Sequence, residues 1–121
     1  MPRILVTDDR AASRELIRSM LESAGYQVDE AENGLEALKI IQQNPPDLVL
    51  LDLQMPLMDG FGLVRELRER NLLDKVLVVA LTASAMQGDS ERAIQEGFSG
   101  YITKPVRLGE LRNQLGRLLN P

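Results

Sequence analysis

The sequence predicts a single α/β domain built on a parallel sheet with helices on both faces. Three observations predict it. Five short apolar runs alternate with helix-spaced patterns along the 121 residues. The segments joining them are short, as βα and αβ connections are. The run Val76–Thr82 is apolar almost throughout, which suits a central strand covered on both sides. Residues 1–121 are enough for one proper core and too few for two.

The strands are expected at Arg3–Thr7, Tyr26–Ala31, Asp47–Leu51, Val76–Thr82 and Gly100–Thr103. Between the first two, Leu16, Ile17, Met20, Leu21 and Ala24 recur at helical spacing and stop at Gly25, a residue suited to the left-handed turn that ends a helix. Asn33, with Glu36 three positions on, forms a capping-box variant that opens a second helix, which Pro45 closes. Asp59-Gly60 opens a third helix carrying Leu63, Val64 and Leu67. Asp89 is expected to cap a short fourth helix with Ala93 and Ile94, ended by Gly97. The last helix carries Leu108, Leu111, Leu115, Leu118 and Leu119 on one face. There is no internal repeat, low-complexity stretch or linker.

Composition narrows the chemistry. Apolar residues make up 44 % and charged residues 26 %, the balance of an ordinary globular domain. A net charge of −4 argues against direct binding to nucleic acid or to an anionic membrane. No window is long and apolar enough to span a bilayer, and Met1-Pro2-Arg3 leads straight into a strand, so no signal peptide is expected and the location is taken as cytoplasmic. With no cysteine, neither a disulfide nor a thiolate metal site can form. The absence of histidine removes the commonest general base and the commonest transition-metal ligand. Chemistry must therefore run on carboxylates, hydroxyls, lysine and backbone groups.

Asp52 stands where the apolar run Leu48–Leu51 ends, and Asp8-Asp9 stand where Arg3–Thr7 ends. Open α/β sheets bind ligands at the carboxyl ends of their strands. If the order is the flavodoxin-like 2-1-3-4-5, the first and third strands are neighbours and Asp8, Asp9 and Asp52 converge. Two ionised carboxylates about 5 Å apart repel by roughly 3 kcal/mol at an effective dielectric near 20. The cluster must protonate, pair with a cation or hold a metal. Hard oxygen ligands without histidine or cysteine favour Mg²⁺. A plainer alternative is that Asp8-Asp9 merely cap the helix that follows. Thr82 and Lys104 end the fourth and fifth strands at the same edge, so Lys104 is placed to pair with Asp52 and Thr82 to donate a hydrogen bond to a bound group. Pro105 restricts Lys104 to extended backbone, and the sequence leaves the cis or trans state of that bond open.

Asp8-Asp9, Leu51-Asp52-Leu53-Gln54-Met55-Pro56, Met58-Asp59-Gly60, Thr82-Ala83 and Lys104-Pro105 together resemble the receiver domain of two-component response regulators, in order and spacing over essentially the whole chain. The resemblance implies that Asp52 is the phosphoacceptor. It implies that Asp9 and the Gln54 backbone carbonyl ligate Mg²⁺ directly, with Asp8 helping mainly through water. Thr82 would close on the phosphoryl group and Lys104 would neutralise its charge. Tyr101 matches the aromatic switch position, expected to turn inward and reshape the surface of the fourth helix, fifth strand and fifth helix. The implied partners are a histidine kinase or histidine phosphotransfer protein as donor and a downstream protein effector as reader. Dimerisation through the fourth and fifth helices on phosphorylation is a further expectation. Apart from its own phosphorylation and dephosphorylation, the domain is not expected to be an enzyme.

Thr7 and Arg10 flank the acidic pair in ways the family pattern does not require, with Arg10 expected to face solvent, and Gln54 and Ser84 lie where the family tunes the lifetime of the phosphorylated state. A phosphatase of the haloacid dehalogenase type needs a second aspartate where this chain has Gln54. Gly60-Phe61-Gly62 lacks the third glycine of a dinucleotide loop. The remaining alternative is a receiver-like interaction module that works without phosphorylation. Such relatives usually lose an acidic residue, the threonine or the lysine, all of which this chain has.

Overall fold

The computed structural model describes residues 2–55, 57–83 and 89–120, with only the backbone described at 89 and 90. Five strands, β1 (Arg3–Thr7), β2 (Gln27–Ala31), β3 (Leu48–Asp52), β4 (Leu77–Thr82) and β5 (Gly100–Thr103), alternate with five helices. These are α1 (Ala11–Ser23), α2 (Gly34–Gln43), α3 (Gly60–Glu69), α4 (Asp89–Glu96) and α5 (Leu108–Leu119). All strand pairings are parallel, in the order β2-β1-β3-β4-β5. This is the expected doubly wound flavodoxin-like sheet.

Alternation along the strands builds two cores. Leu5, Val49, Leu51, Val78 and Ala80 face α2, α3 and α4, where they meet Leu38, Ile41, Leu63, Leu67 and Phe98. Ile4, Val6, Leu48, Leu50, Val79, Leu81 and Ile102 face α1 and α5, meeting Ile17, Leu21, Leu111 and Leu115. Every side chain of β3 is buried, as a strand covered on both faces requires. Among the terminal leucines of the last helix, Leu111 and Leu115 are buried while Leu108 is exposed. Leu16 and Ile94 are likewise exposed, because a helix lying on a sheet buries only a stripe of its surface.

Several boundaries move by a residue, each for a hydrogen-bonding reason. The Tyr26 amide donates to the Leu21 carbonyl and so completes the end of α1 instead of starting β2. β3 runs on to Asp52 because its ladder with β4 continues to the Asp52–Leu81 pair. Val76 is buried but precedes the first ladder pair, Leu48–Leu77. Asn33 caps α2 as expected, its side chain accepting from the Glu36 amide at 2.8 Å. α2 stops at Gln43, with Asn44 held extended ahead of Pro45. Asp59 caps α3, accepting from the Gly62 amide at 2.8 Å. α4 begins at Asp89 itself, so the residue expected to precede it already belongs to the helix, and position 88 lies outside the described residues. Gly25 and Gly97 adopt φ of 94° and 111°, the left-handed conformation expected at the ends of α1 and α4.

The close fit that sets the loop after β3 is at Gly34. A Cβ there would lie 2.4 Å from the Met58 carbonyl oxygen and 2.8 Å from the Met58 Cβ. The first turn of α2 therefore presses directly on the loop that leads from Asp52 to α3. Gly34→Ala is expected to destabilise the fold by about 1–3 kcal/mol, the usual cost of overpacking. A urea midpoint equal to the parent's would contradict this contact.

Candidate functional site

Strand parity decides which side chains meet. Val6, Leu50 and Ile102 lie on the α1/α5 face, and Asp8, Asp52 and Lys104 follow each of them by two positions. Pairing of Thr7 with Leu51 places the ends of β1 and β3 level. The Lys104 amide donates to the Thr82 carbonyl at 2.8 Å and so holds the end of β5 beside that of β4. The outcome is one contact: Lys104 Nζ donates to Asp8 Oδ2 and Asp52 Oδ2, at 3.1 Å from each. The Lys104–Pro105 bond is cis.

Asp8 is fully buried and Asp52 is 7 % exposed, while Asp9 is open to solvent. One carboxylate oxygen from each of the three lies within 4.8 Å of the other two. Burial pushes Asp8 upward, but hydrogen bonds from the Ser13 hydroxyl, the Arg10 amide and Lys104 outweigh it, so its pKa lies below the ordinary value of 3.8. Burial dominates at Asp52, whose pKa is raised although the Gln54 amide and Lys104 oppose the shift, and the Asp8 charge adds to it. The two neighbours are thus pushed apart.

The capping alternative for Asp8-Asp9 does not hold. α1 is preceded by Arg10 at its cap position with no side-chain cap bond, and Asp8 instead accepts from the Arg10 amide at 3.0 Å. Arg10 itself is exposed, as expected. Gln54 lies in the loop at the same rim, exposed, its amide donating to Asp52 Oδ1 at 3.0 Å. Thr82 is buried at the end of β4 and shares the opposite sheet face with Ala80 and Val78. Tyr101 is 38 % exposed on edge strand β5, with its carbonyl accepting from the Gln114 side chain. Thr7 is fully buried, and its Oγ1 has no hydrogen-bond partner among the described residues. Ser84 lies outside the described residues.

Two contacts escaped the sequence reading. Ser13 Oγ donates to Asp8 Oδ2 at 2.7 Å, and Arg14 donates to the Asp8 carbonyl at 2.9 Å. Neither belongs to a motif, and only the position of both residues on the first turn after Asp8-Asp9 hinted at them. The arrangement can hold a small hard cation: three carboxylates converge, all donors are oxygen, and a rim open at Asp9 leaves room for water ligands.

The opposite shifts predict opposite stability effects. Because the native state favours protonated Asp52, ionisation of this group costs stability as pH rises from the ordinary value near 3.8 through its raised folded pKa. Asp52→Asn is therefore expected to raise stability at pH 7, a gain that fades once the carboxyl is protonated in both states. Asp8 contributes stability above 3.8 that is lost as pH falls through its lowered folded pKa, so Asp8→Asn is expected to destabilise at neutral pH. Urea unfolding of both variants at pH 7 and below pH 4 checks the signs; shifts in the same direction at pH 7 would refute the assignment.

Known proteins resemble this chain along nearly its whole length. The family model described as the response regulator receiver domain matches residues 4–116. The polar-differentiation response regulator DivK of Brucella anthropi is 37 % identical over 107 residues, covering 88 % of this chain and 87 % of its own. The receiver domain of the sensor histidine kinase PA1611 from Pseudomonas aeruginosa, solved with a magnesium ion in its active-site cleft, superposes with a TM-score of 0.91 at 33 % identity over 99 % of this chain and 98 % of its own. The receiver domain of Ssk1 from Saccharomyces cerevisiae, crystallised with the histidine phosphotransfer protein Ypd1, gives a TM-score of 0.89 at 28 % identity over 97 % of this chain and 88 % of its own. A sheet that brings buried aspartates and a lysine to one edge, matched along nearly its whole length by that family model, makes this chain a member of the response regulator receiver domain family.

Proposed function

We propose that Asp52 accepts a phosphoryl group from a phosphohistidine on a histidine kinase or a histidine phosphotransfer protein, and that residues 1–121 act as one receiver domain. The observation that carries this reading is the Lys104 ammonium 3.1 Å from the Asp52 carboxylate, a cation beside a buried nucleophile. An Asp52 oxygen attacks phosphorus in line, the P–N bond to the donor imidazole breaks, and an acyl phosphate forms. Lys104 then exchanges one carboxylate partner for a phosphoryl oxygen. Asp8, Asp9, Asp52 and the Gln54 backbone carbonyl would hold Mg²⁺, which when bound supplies positive charge against the carboxylates and the phosphoryl oxygens. Hydrolysis of the acyl phosphate, also promoted at this site, resets the domain.

Thr82 donates its hydroxyl to the new phosphoryl group, and Tyr101 follows from its half-exposed position on the adjoining strand. Ladder pairing of Ala80 with Tyr101 and of Thr82 with Thr103 supports this coupling. The readout is contact with a downstream protein effector, and a second copy of this chain is one such partner. Ile94, Tyr101 and Leu108 expose apolar surface on α4, β5 and α5, which supports a phosphorylation-dependent homodimer there. A net charge of −4 favours protein over nucleic acid or membrane as the contact. No helix among the described residues is long and apolar enough to cross a membrane, in keeping with a cytoplasmic role. A mode independent of phosphorylation is not favoured, because the acidic group, Thr82 and Lys104 are all present.

Incubation with acetyl phosphate is expected to add one phosphoryl mass in a Mg²⁺-dependent manner, and Asp52→Ala to abolish it. Intact mass spectrometry reads the outcome; an adduct that survives Asp52→Ala would sink the assignment. Lys104→Ala is expected to slow phosphoryl uptake by about a hundredfold, the scale of losing one charge-stabilising donor. Light scattering should report a doubled mass with beryllofluoride if the homodimer forms, and an unchanged mass would exclude it.

A further inference from the structure

We infer that Ser13 and Arg14 are positioning residues that fix the Asp8-Asp9 corner for the metal. The inference deepens the proposed function and rests on reading that corner as metal-holding. Asp8 is restrained at every polar atom. Its amide donates to the Ala31 carbonyl at 3.2 Å, which ties the corner to β2. Oδ1 accepts from the Arg10 amide, and Oδ2 from both Ser13 and Lys104. The carbonyl accepts from Arg14 at 2.9 Å.

Arg14 is more than a surface ion pair. Its side chain is only 13 % exposed, and one guanidinium nitrogen donates to the backbone between the two aspartates. Another donates to Glu30 Oε1 at 2.9 Å, and Glu30 neighbours the residue whose carbonyl receives the Asp8 amide. Arg18 donates to the other Glu30 oxygen. The planar fork is therefore oriented from β2 and aimed at the corner, a task that a lysine's single ammonium cannot perform. Asp9 is exposed and follows this carbonyl directly, so the orientation of its carboxylate depends on the peptide that Arg14 holds. Ser13 acts on the carboxylate of Asp8 itself, sharing Oδ2 with Lys104. With Ser13, Arg10 and Lys104 satisfying Asp8, the exposed carboxylate of Asp9 is left for direct ligation. Partners of this kind set ligand orientation and influence affinity without touching the metal.

The experiment titrates Mg²⁺ alone into the full chain by calorimetry and measures urea stability without metal. The same proteins are then assayed for phosphoryl uptake from phosphoramidate. Ser13→Ala and Arg14→Met are expected to weaken Mg²⁺ about tenfold, whereas Ser13→Thr, which keeps the hydroxyl, stays within about twofold of the parent. A merely structural role would lower the urea midpoint and leave the Mg²⁺ affinity of the folded protein unchanged. Parental affinity in both Ser13→Ala and Arg14→Met overturns the inference, as does a parent that binds no Mg²⁺. Should Arg14→Met fail to fold, Ser13→Ala against Ser13→Thr decides. A parent that binds Mg²⁺ yet takes up no phosphoryl group defeats the Asp52 reading, while the Mg²⁺ affinities still judge Ser13 and Arg14.

Discussion

Two aspartates buried side by side are the constraint on which the rest of this molecule depends. Asp8 and Asp52 are 0 % and 7 % exposed, and neither keeps its charge there without help. Lys104 reaches both at 3.1 Å, so one ammonium balances a pair that would otherwise repel. That contact requires the end of β5 to lie level with that of β1 across the two intervening strands β3 and β4, which the parallel ladders and the Lys104–Thr82 backbone bond provide. Burial raises the pKa of Asp52 by more than the Gln54 amide and Lys104 lower it, whereas at Asp8 the bonds from Ser13, Arg10 and Lys104 outweigh burial and lower it. The residual imbalance is what a cation at this edge would relieve.

The same sheet separates two tasks by parity. Asp8, Asp52 and Lys104 occupy the face shared with α1 and α5, whereas Thr82 and Tyr101 alternate onto the face towards α3 and α4. In the proposed function, a group on Asp52 would therefore act on one face and be read on the other through the ends of β4 and β5. α4 is lightly fastened: among its described side chains only Ala93 is buried. It also packs against β4 and β5, and from α3 Arg65 pairs with Glu96 at 3.0 Å, Arg68 donates to the Glu96 carbonyl and the Phe61 ring lies 3.9 Å from the Arg92 guanidinium. Exposed ion pairs and cation–π contacts of this kind contribute about 1 kcal/mol each or less. An element held in this way can shift at small cost.

Much of the site was legible because its residues end strands. Asp8, Asp9, Asp52, Thr82 and Lys104 each stand where an apolar run stops, and the carboxyl edge of a parallel sheet is where such ends gather. Boundaries were less legible: Tyr26 and Asp52 changed sides because backbone hydrogen bonds with distant partners, Leu21 and the β4 ladder, settled them. The outward turn of Leu16, Ile94 and Leu108 was hidden as well, since helical spacing defines a stripe without showing how wide the sheet beneath it is. Ser13 and Arg14 belong to no motif and were hinted at only by their place on the first turn after Asp8-Asp9, because their contacts are with a backbone carbonyl and a carboxylate that only the folded α1 brings within reach.

The sequence by itself determined the class of chemistry and the order of the elements. Without histidine or cysteine, the polar groups at the strand ends could only be carboxylates, hydroxyls and an amine, and the alternating apolar periods admitted little besides a doubly wound sheet. Only the tertiary structure decided how the charges are shared. Whether Lys104 serves Asp52 alone or Asp8 as well, which aspartate stays below its ordinary pKa, and which of the three faces solvent depend on distances of a few ångströms between strand ends. Those distances arise from ladder register and from burial in two cores, and electrostatic energy inside a protein varies with both too steeply for residue order to specify it.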